Sequence, residues 1–183
     1  MNIGIISDTH GSLSAWTQAY ENYLQKCDLI IHCGDILYHG PRNPLPDGYD
    51  PAGLAQSLNQ SSKPIFFAKG NCDAEVDQLL INFPIEAPFV HLVTPEYRIL
   101  AHHGHHYSAE NIPSRTVTDY NLVISGHTHL PEIHQEGATL FLNPGSPSLP
   151  KNEPKQPSIA ILEDSRIRII NPWTNQILIE NRI

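Results

Sequence analysis

The stretch 124–129 reads Ile-Ser-Gly-His-Thr-His and closes an apolar run that begins at Asn121. The apolar run predicts a buried strand that stops at Gly126. In extended backbone, residues i and i+2 point to the same face, so His127 and His129 are expected to lie side by side. Neutral imidazoles in this arrangement are good nitrogen ligands for a metal. A pair of surface histidines in a turn is the alternative, and this stretch alone does not decide between them.

The composition bounds the class of protein. With 183 residues, 40% of them hydrophobic and 16% charged, the chain is expected to form one domain over residues 1–183. No apolar run approaches membrane-spanning length and no export signal is visible, so we expect a cytoplasmic protein without membrane contact. Cys27, Cys33 and Cys72 form no C-x-x-C pattern, which argues against a disulfide framework. A formal net charge of −8 argues against binding of duplex nucleic acid, although bound cations can reverse the local field.

Four other segments repeat the pattern of a predicted strand that ends in metal-binding side chains. They are 2–7 with Asp8 and His10, 28–33 with Asp35, 63–68 with Asn71, and 97–101 with His103. Sites in α/β sheets form beyond the carboxyl ends of the strands, so these side chains are expected to converge.

The rest of the chain alternates helices with strands and then turns to short strands. Helices are predicted at 12–26, at 52–60 and at 74–81, the last capped by Asp73, and a turn with a short helix at 108–119. The run 87–93 is expected to pair with 97–101 as a hairpin. Short alternating runs predict antiparallel strands at 139–142, 158–162, 167–170 and 176–180, and the polar, proline-rich stretch 151–157 predicts a mobile loop.

Two stretches near these strand ends have more than one interpretation. His32 lies inside an apolar run, so a buried histidine with satisfied hydrogen bonds is favoured over a ligand. The loop 38–51 holds four prolines and two glycines and is either a binding loop or a solvated surface loop. In the first case His39 and Arg42, close in sequence to Asp35, would contact a bound anion.

Residues 102–106 place four histidines around Gly104, which is too many for one site. Alternation along an extended chain would put His103 and His105 on one face and His102 on the other. Of these four histidines, His103 is counted among the candidate metal ligands.

Together, the strand ends offer seven candidate metal ligands, three with oxygen donors and four imidazoles: Asp8, His10, Asp35, Asn71, His103, His127 and His129. Seven ligands suit two metals that share a bridging carboxylate, roughly 3.5–4 Å apart, as in enzymes of phosphoryl transfer. The charges of two divalent cations exceed those of two aspartates, which leaves the site able to hold a phosphate diester and a hydroxide. No thiolate is needed, so we expect Mn²⁺ first, with Zn²⁺, Fe²⁺ or Co²⁺ as alternatives.

These motifs, in this order, resemble those of the calcineurin-like metallophosphoesterase superfamily. The resemblance is carried by Asp8-x-His10, Gly34-Asp35, Gly70-Asn71, His103-Gly104-His105 and Gly126-His127-Thr128-His129, with Asn143-Pro144-Gly145-Ser146 as a further element. The small size, Gly-Asn-Cys-Asp at 70–73 and the insert 39–43 resemble the YfcE-type bacterial phosphodiesterases most closely. The resemblance implies an α/β (α+β) fold in which two mixed β-sheets pack face to face and α-helices flank them.

The resemblance also implies a role for each candidate ligand. Asp8, His10 and His129 would hold one metal, and Asn71, His103 and His127 the other. Asp35 would bridge the two metals. A hydroxide between the metals would attack phosphorus, while the metals and Asn71 would stabilise the developing charge. The substrate would be a small phosphodiester, and exposed apolar strands in the C-terminal half would permit a homodimer or a higher homo-oligomer.

One position departs from the family pattern. Many family members carry a histidine after the asparagine, where it can protonate the leaving group, and here that residue is Cys72. A thiol with an ordinary pKa of about 8.5 is a poor substitute for an imidazole. Either His39 or His105 would then supply the proton, or the enzyme would favour activated diesters over alkyl phosphomonoesters.

Two functions of other classes compete with this hypothesis. The same fold serves as a non-catalytic scaffold in the retromer complex, where ligand residues have been lost, whereas all seven are present here. A metallo-β-lactamase-type hydrolase would need His-x-His-x-Asp-His, and residues 127–131 instead read His-Thr-His-Leu-Pro. The sequence therefore favours a two-metal phosphodiesterase, with the scaffold as the alternative.

Overall fold

Within the described part of the chain, the strands assemble into two sheets, one of seven strands and one of five. A computed structural model describes residues 1–108 and 110–183; Ala109, inside the turn predicted at 108–119, lies outside the described residues. The strands are β1 Ile3–Ile6, β2 Leu29–His32, β3 Ile65–Ala68, β4 Ile85–Glu86, β5 Val90–Val93, β6 Arg98–Ala101, β7 Leu122–Ile124, β8 Pro131–Glu136, β9 Thr139–Pro144, β10 Ile159–Glu163, β11 Arg166–Ile170 and β12 Ile177–Arg182.

Both sheets mix parallel and antiparallel pairs. The seven-stranded sheet runs β12-β11-β10-β1-β2-β3-β4, with β1 to β4 parallel and β10 to β12 antiparallel. The five-stranded sheet runs β5-β6-β7-β9-β8, with β6, β7 and β9 parallel. The central parallel strands β1 and β7 are short, wholly apolar and buried along their whole length, as expected of strands covered on both faces.

Alternate side chains of the central strands pack into two different hydrophobic cores, one on each face of the sheet. Ile3 and Ile5 of β1 point between the sheets, where they join Ile99, Leu122 and other residues of the second sheet. Ile6 faces the opposite side and packs with residues of the helices. The predicted sandwich of two mixed sheets with helices outside is therefore confirmed.

The helix predicted at 52–60 and the short helix predicted within 108–119 are confirmed, whereas the other two predicted helices are shorter or of another type. The described helices are α1 Leu13–Asn22, α2 Pro51–Asn59 and α3 Ser114–Asp119, with 3₁₀ helices at Leu24–Lys26 and Glu75–Leu79. Two N-caps follow the usual chemistry, since the side chain of Ser12 accepts from Ala15 N and that of Asp50 from Gly53 N. None of the described helices is long and apolar enough to cross a lipid bilayer.

The prediction of a single helix over 12–26 is wrong because packing against β1 overrides local preference. Helix α1 ends at Asn22, and the following turn tucks Leu24 and Cys27 against Gly4. A Cβ at Gly4 would lie 2.6 Å from Leu24 Cδ2, so the glycine makes room for this turn. The chain then enters β2 directly.

The helix predicted at 74–81 is also wrong, since only a 3₁₀ helix forms there. Leu79 is 82% exposed and Val76 55% exposed, so the segment has no buried apolar stripe to hold an α-helix. Asp73 does not cap it: the N-cap is Ala74, and the Asp73 carboxylate is used elsewhere. Strand β8, by contrast, was not predicted and completes the second sheet beside β9.

Candidate metal centre

The loops that carry the candidate ligands meet at the carboxyl ends of β1, β2, β3, β6 and β7. Backbone hydrogen bonds tie them together, as in Asp8 N to Gly34 O at 3.0 Å and His10 N to Asp35 O at 2.9 Å. The Asp73 carboxylate accepts from the backbone N–H groups of Asp35, Ile36 and Gly70 at 2.9, 2.7 and 2.6 Å. It thereby fixes the second and third loops to each other.

One group of ligand atoms joins Asp8, His10 and His129. His129 Nε2 lies 3.3 Å and His10 Nε2 3.7 Å from Asp8 Oδ1. The two Nε2 atoms are 3.2 Å apart. All three side chains are buried, so these atoms face one another and not bulk solvent.

A second group joins Asp35, His103 and His127, and Asn71 lies beside it. His103 Nε2 is 3.4 Å from Asp35 Oδ1, 3.3 Å from His127 Nδ1 and 3.1 Å from Asn71 Oδ1. The other carboxylate oxygen, Asp35 Oδ2, lies 3.7 Å from His10 Nε2 of the first group. Asp35 therefore stands between the two groups, with one oxygen toward each.

Backbone carbonyls orient three of the imidazoles. Each donates Nδ1–H to a carbonyl oxygen, which can only accept, so each keeps Nε2 for the site. The pairs are His10 with Tyr38 O at 2.9 Å, His103 with Cys33 O at 2.7 Å and His129 with Leu149 O at 2.7 Å. The tautomer is thus set by the fold.

This donor set fits a divalent cation at each group. The Nε2 atoms of His10 and His129, 3.2 Å apart, present lone pairs to each other and repel unless a positive charge is shared. Asp8 Oδ1 is buried and has no hydrogen-bond partner in the described structure, whereas Oδ2 accepts from Ser7 Oγ and His127 N. A buried carboxylate oxygen without a donor is costly unless it binds a cation.

The charges of the centre favour ionised aspartates. Burial opposes ionisation of Asp35, yet the hydrogen bond and charge of His103 hold the pKa of Asp35 well below its usual range. Against its own burial, His103 has its pKa raised to about 9, mainly by that same bond to Asp35. Because a metal binds the unprotonated imidazole nitrogen, a cation at this group would compete with a proton for His103 Nε2.

The backbone at the candidate ligands is strained. Non-glycine residues seldom adopt positive φ, and five of the seven do so here. They are Asp8 (φ 55°), His10 (48°), Asp35 (55°), His127 (69°) and His129 (60°). The i, i+2 spacing read from the sequence therefore does not act through extended backbone: tight left-handed turns aim the side chains.

A cavity of about 370 Å³ opens in front of both groups. It is lined by Asp35, Gly40, Pro41, Arg42, Asn43, Asn71, Cys72, His127, His129 and Lys151. Arg42, a predicted substrate-binding residue, is thus on the wall. Lys151 was missed, because it begins a polar stretch that predicted only a loop.

The two predicted proton donors, His39 and His105, and the predicted catalytic residue Cys72 are placed differently. His39, also predicted to bind substrate, packs edge-on against Tyr49 at 5.4 Å and is not among the described residues of the cavity wall, and its role stays a prediction. The ring of His105 lies 5.3 Å from that of His103, and burial lowers its pKa to about 4. Cys72 lines the cavity, its Sγ within 4.8 Å of ligand atoms of His10 and Asp35, and burial raises its pKa to about 12.

His32 is a buried, satisfied histidine, as expected. Gly34 N donates to His32 Nδ1 at 3.2 Å. Thr9 Oγ1 donates its proton to Ile36 O, so it accepts from His32 Nε2–H at 3.0 Å. Both ring nitrogens are used by one neutral tautomer, and burial lowers the pKa of His32 to about 3.

This arrangement predicts a pH-dependent stability. Between its unfolded pKa of 6.5 and its folded pKa of about 3, His32 binds a proton only in the unfolded state. As the pH decreases below 6.5, the free energy of unfolding should therefore fall, by about 1.4 kcal/mol per unit from this residue alone. In urea unfolding in EDTA, His32→Gln should show a slope shallower by that amount than the parent at pH values well below 6.5, and no difference in slope above about pH 7.5. Equal slopes would contradict the prediction.

Comparison with known proteins agrees with the family resemblance noted in the sequence. Residues 1–166 match the family described as "Calcineurin-like phosphoesterase superfamily domain". Phosphodiesterase YfcE of Escherichia coli (strain K12) is 42% identical over 152 residues, which cover 82% of each chain. The solved structure of Yfce, a phosphoesterase from E. coli, matches with a TM-score of 0.91 at 36% identity over 100% of both chains. Vacuolar Protein Sorting 29 from Cryptosporidium parvum has a TM-score of 0.68 at 16% identity over 100% of this chain and 98% of that one, a likeness of fold alone.

Proposed function

This chain belongs to the calcineurin-like phosphoesterase superfamily, and from that premise we propose that it is a metal-dependent phosphodiesterase acting on small phosphodiesters. The proposal depends chiefly on the two ligand groups that share Asp35. The likeness to Phosphodiesterase YfcE of E. coli supports a diester as substrate.

The proposed centre holds two divalent cations, Mn²⁺ first, with Zn²⁺, Fe²⁺ or Co²⁺ as alternatives. Asp8, His10 and His129 would hold one cation, Asn71, His103 and His127 the other, and Asp35 would bridge them. Cations held by these residues would supply a hydroxide nucleophile and the positive charge that stabilises the transition state.

The chain's own residues prepare this site before substrate arrives. Ser7 Oγ and His127 N hold Asp8 Oδ2 at 2.6 and 3.0 Å, which leaves Oδ1 for a cation. Cys72 N holds Asp35 Oδ1 at 2.8 Å and so fixes the bridging carboxylate. Such preorganisation keeps ligand atoms in place without reorganisation during the reaction.

The cavity offers the leaving group no imidazole from the predicted proton donors. His39 packs on Tyr49, and neither His39 nor His105 is among the described residues of the wall, whereas Cys72 lines it as a thiol. A thiol is a poor general acid at neutral pH. We therefore propose that diesters with good leaving groups, such as aryl esters, are cleaved faster than alkyl phosphomonoesters.

Metal removal tests the proposal. Dialysis against EDTA is expected to lower hydrolysis of bis(p-nitrophenyl) phosphate by about 100-fold or more, and added Mn²⁺ is expected to restore it. The reason is that the ligand groups would hold the cations whose positive charge the reaction needs. Release of p-nitrophenolate is measured beside the metal content of the protein, with p-nitrophenyl phosphate as the monoester control. Absence of hydrolysis with Mn²⁺, Co²⁺ and Zn²⁺ alike would count against a phosphodiesterase.

The alternative predicted from the sequence is a non-catalytic interaction protein with the same fold. In that case a bound partner would be retained by a variant without metal ligands, such as His127→Ala. Three expectations stay predictions. They are a cytoplasmic location, the absence of duplex nucleic acid and membrane as partners, and a homodimer or higher homo-oligomer.

A further inference from the structure

Two cationic side chains line the same cavity as the proposed metal ligands. Arg42 and Lys151 are both exposed, and neither has an ion-pair partner among the residues that the structure describes. Asp35 is the one acid among the described residues of the wall. The cavity wall is thus rich in free positive charge.

The charge of these two side chains is opposite in sign to the net charge of the protein. The chain has 11 Lys and Arg against 19 Asp and Glu, for a formal net charge of −8. A concave surface lined by one sign of charge attracts ligands of the other sign and raises their local concentration. Unpaired cations in the cavity of an acidic protein therefore point to an anionic ligand.

The loops that carry the two cations are anchored to the proposed ligands. His10 Nδ1 donates to Tyr38 O, four residues before Arg42, and His129 Nδ1 donates to Leu149 O, two residues before Lys151. Lys151 N also donates to His129 O at 3.3 Å. The hydrogen bonds that orient the imidazoles thus also place the backbone of both loops.

Serine side chains hold the second loop still closer to the centre. Ser146 Oγ and Ser148 Oγ both donate to Asp8 O, at 2.8 and 2.9 Å, and Leu149 N donates to Ser146 Oγ at 2.9 Å. Ser146 is wholly buried. The backbone that carries Lys151 is therefore hydrogen-bonded to two proposed metal ligands, Asp8 and His129.

We infer that Arg42 and Lys151 bind a second anionic group on the substrate. The inference rests on the proposed function and narrows its substrate class to phosphodiesters that carry a further phosphate, phosphonate or carboxylate group. In the proposed function, the metal ions held by the seven candidate ligands would bind the scissile phosphate. The cationic side chains of Arg42 and Lys151 would then be free to pair with another anion.

Two substrates with the same scissile bond and leaving group test this assignment. Ethyl p-nitrophenyl phosphate has one anionic group, and 2-phosphonoethyl p-nitrophenyl phosphate has a second. With the Mn²⁺-loaded protein, kcat/KM for the second substrate should be higher by about tenfold or more at low salt, mainly through a lower KM. Salt should reduce the difference because both cations are exposed.

The variants Arg42→Met and Lys151→Met remove one charge each at similar length. Each should reduce the preference for the phosphonoethyl substrate by about fivefold to tenfold, because kcat/KM for that substrate should fall further than kcat/KM for the ethyl substrate. Lys155→Met is the matched control: Lys155 is an exposed lysine of the same stretch, is not among the described residues of the wall, and should leave the preference unchanged.

Binding without turnover gives a second readout. Analogues in which a methyl group replaces p-nitrophenoxy should show the same preference in calorimetric titration of the Mn²⁺-loaded protein, even if neither ester is cleaved. No cleavage of either ester with Mn²⁺, Co²⁺ or Zn²⁺ would overturn the proposed function. Cleavage or binding without a preference for the second anionic group, or a preference unchanged in both variants, would overturn the inference alone.

Discussion

Asp35→Asn is expected to lower kcat/KM for an aryl phosphodiester by a factor on the order of 10³, because it removes the charge that faces both ligand groups. Asparagine keeps the volume and can still accept from Cys72 N, which lies 2.8 Å from Asp35 Oδ1. The loss should therefore come from metal binding and not from repacking. Hydrolysis of bis(p-nitrophenyl) phosphate and the metal content of the same sample are the measurements.

Asp164→Asn is the control for this substitution. Asp164 is exposed in a turn at φ 49°, a conformation that asparagine also adopts, and no proposed role involves it. It should keep parental activity and metal content. An Asp35→Asn variant with the full metal content and activity within about threefold of the parent would exclude a bridging role for Asp35.

Gly34→Ala is expected to destabilise the protein by about 3 kcal/mol or more, since it combines backbone strain with a backbone clash. Gly34 has φ +92°, and a Cβ there would lie 2.6 Å from Gly70 N and 2.8 Å from Ala68 O. The loop after β2 and the loop after β3 would have to separate. Urea unfolding in the presence and absence of Mn²⁺ measures the free energy of unfolding.

The matched substitution is Gly137→Ala in the turn between β8 and β9. Gly137 also has positive φ, +59°, but nothing lies within 4 Å of the Cβ position. It should cost only the strain of the left-handed conformation, about 1 kcal/mol. Similar losses in both variants would mean that the close approach of the two loops carries no energetic weight.

The seven candidate ligands could be named from the sequence because each follows a short apolar run. Residues at the ends of parallel strands must emerge at one edge of a sheet, whatever the details of packing. Asp8 follows β1, Asp35 follows β2 and Asn71 follows β3, and in the structure they belong to two adjacent ligand groups joined by Asp35. The fold class was predicted from the resemblance to the calcineurin-like superfamily that these motifs carry.

Residues outside these strand ends could not be placed in this way. His39 was grouped with the site for its closeness to Asp35 in sequence, but its ring packs on Tyr49. Lys151 lies in a stretch without regular pattern, and it lines the cavity because hydrogen bonds to Asp8 and His129 fold its loop back. Contacts across such sequence separations leave no local signal.

The sequence by itself determined which side chains are available for metal chemistry and which end of the sheets presents them, since strand periodicity and chain direction are local properties. Only the tertiary structure decided how those side chains are aimed. Three features depend on neighbours that are distant in sequence. They are the positive φ of Asp8 and Asp35, the carbonyl oxygens that accept from three imidazoles, and the Asp73 carboxylate that joins two loops. Strain at these residues persists because buried contacts elsewhere over-determine it.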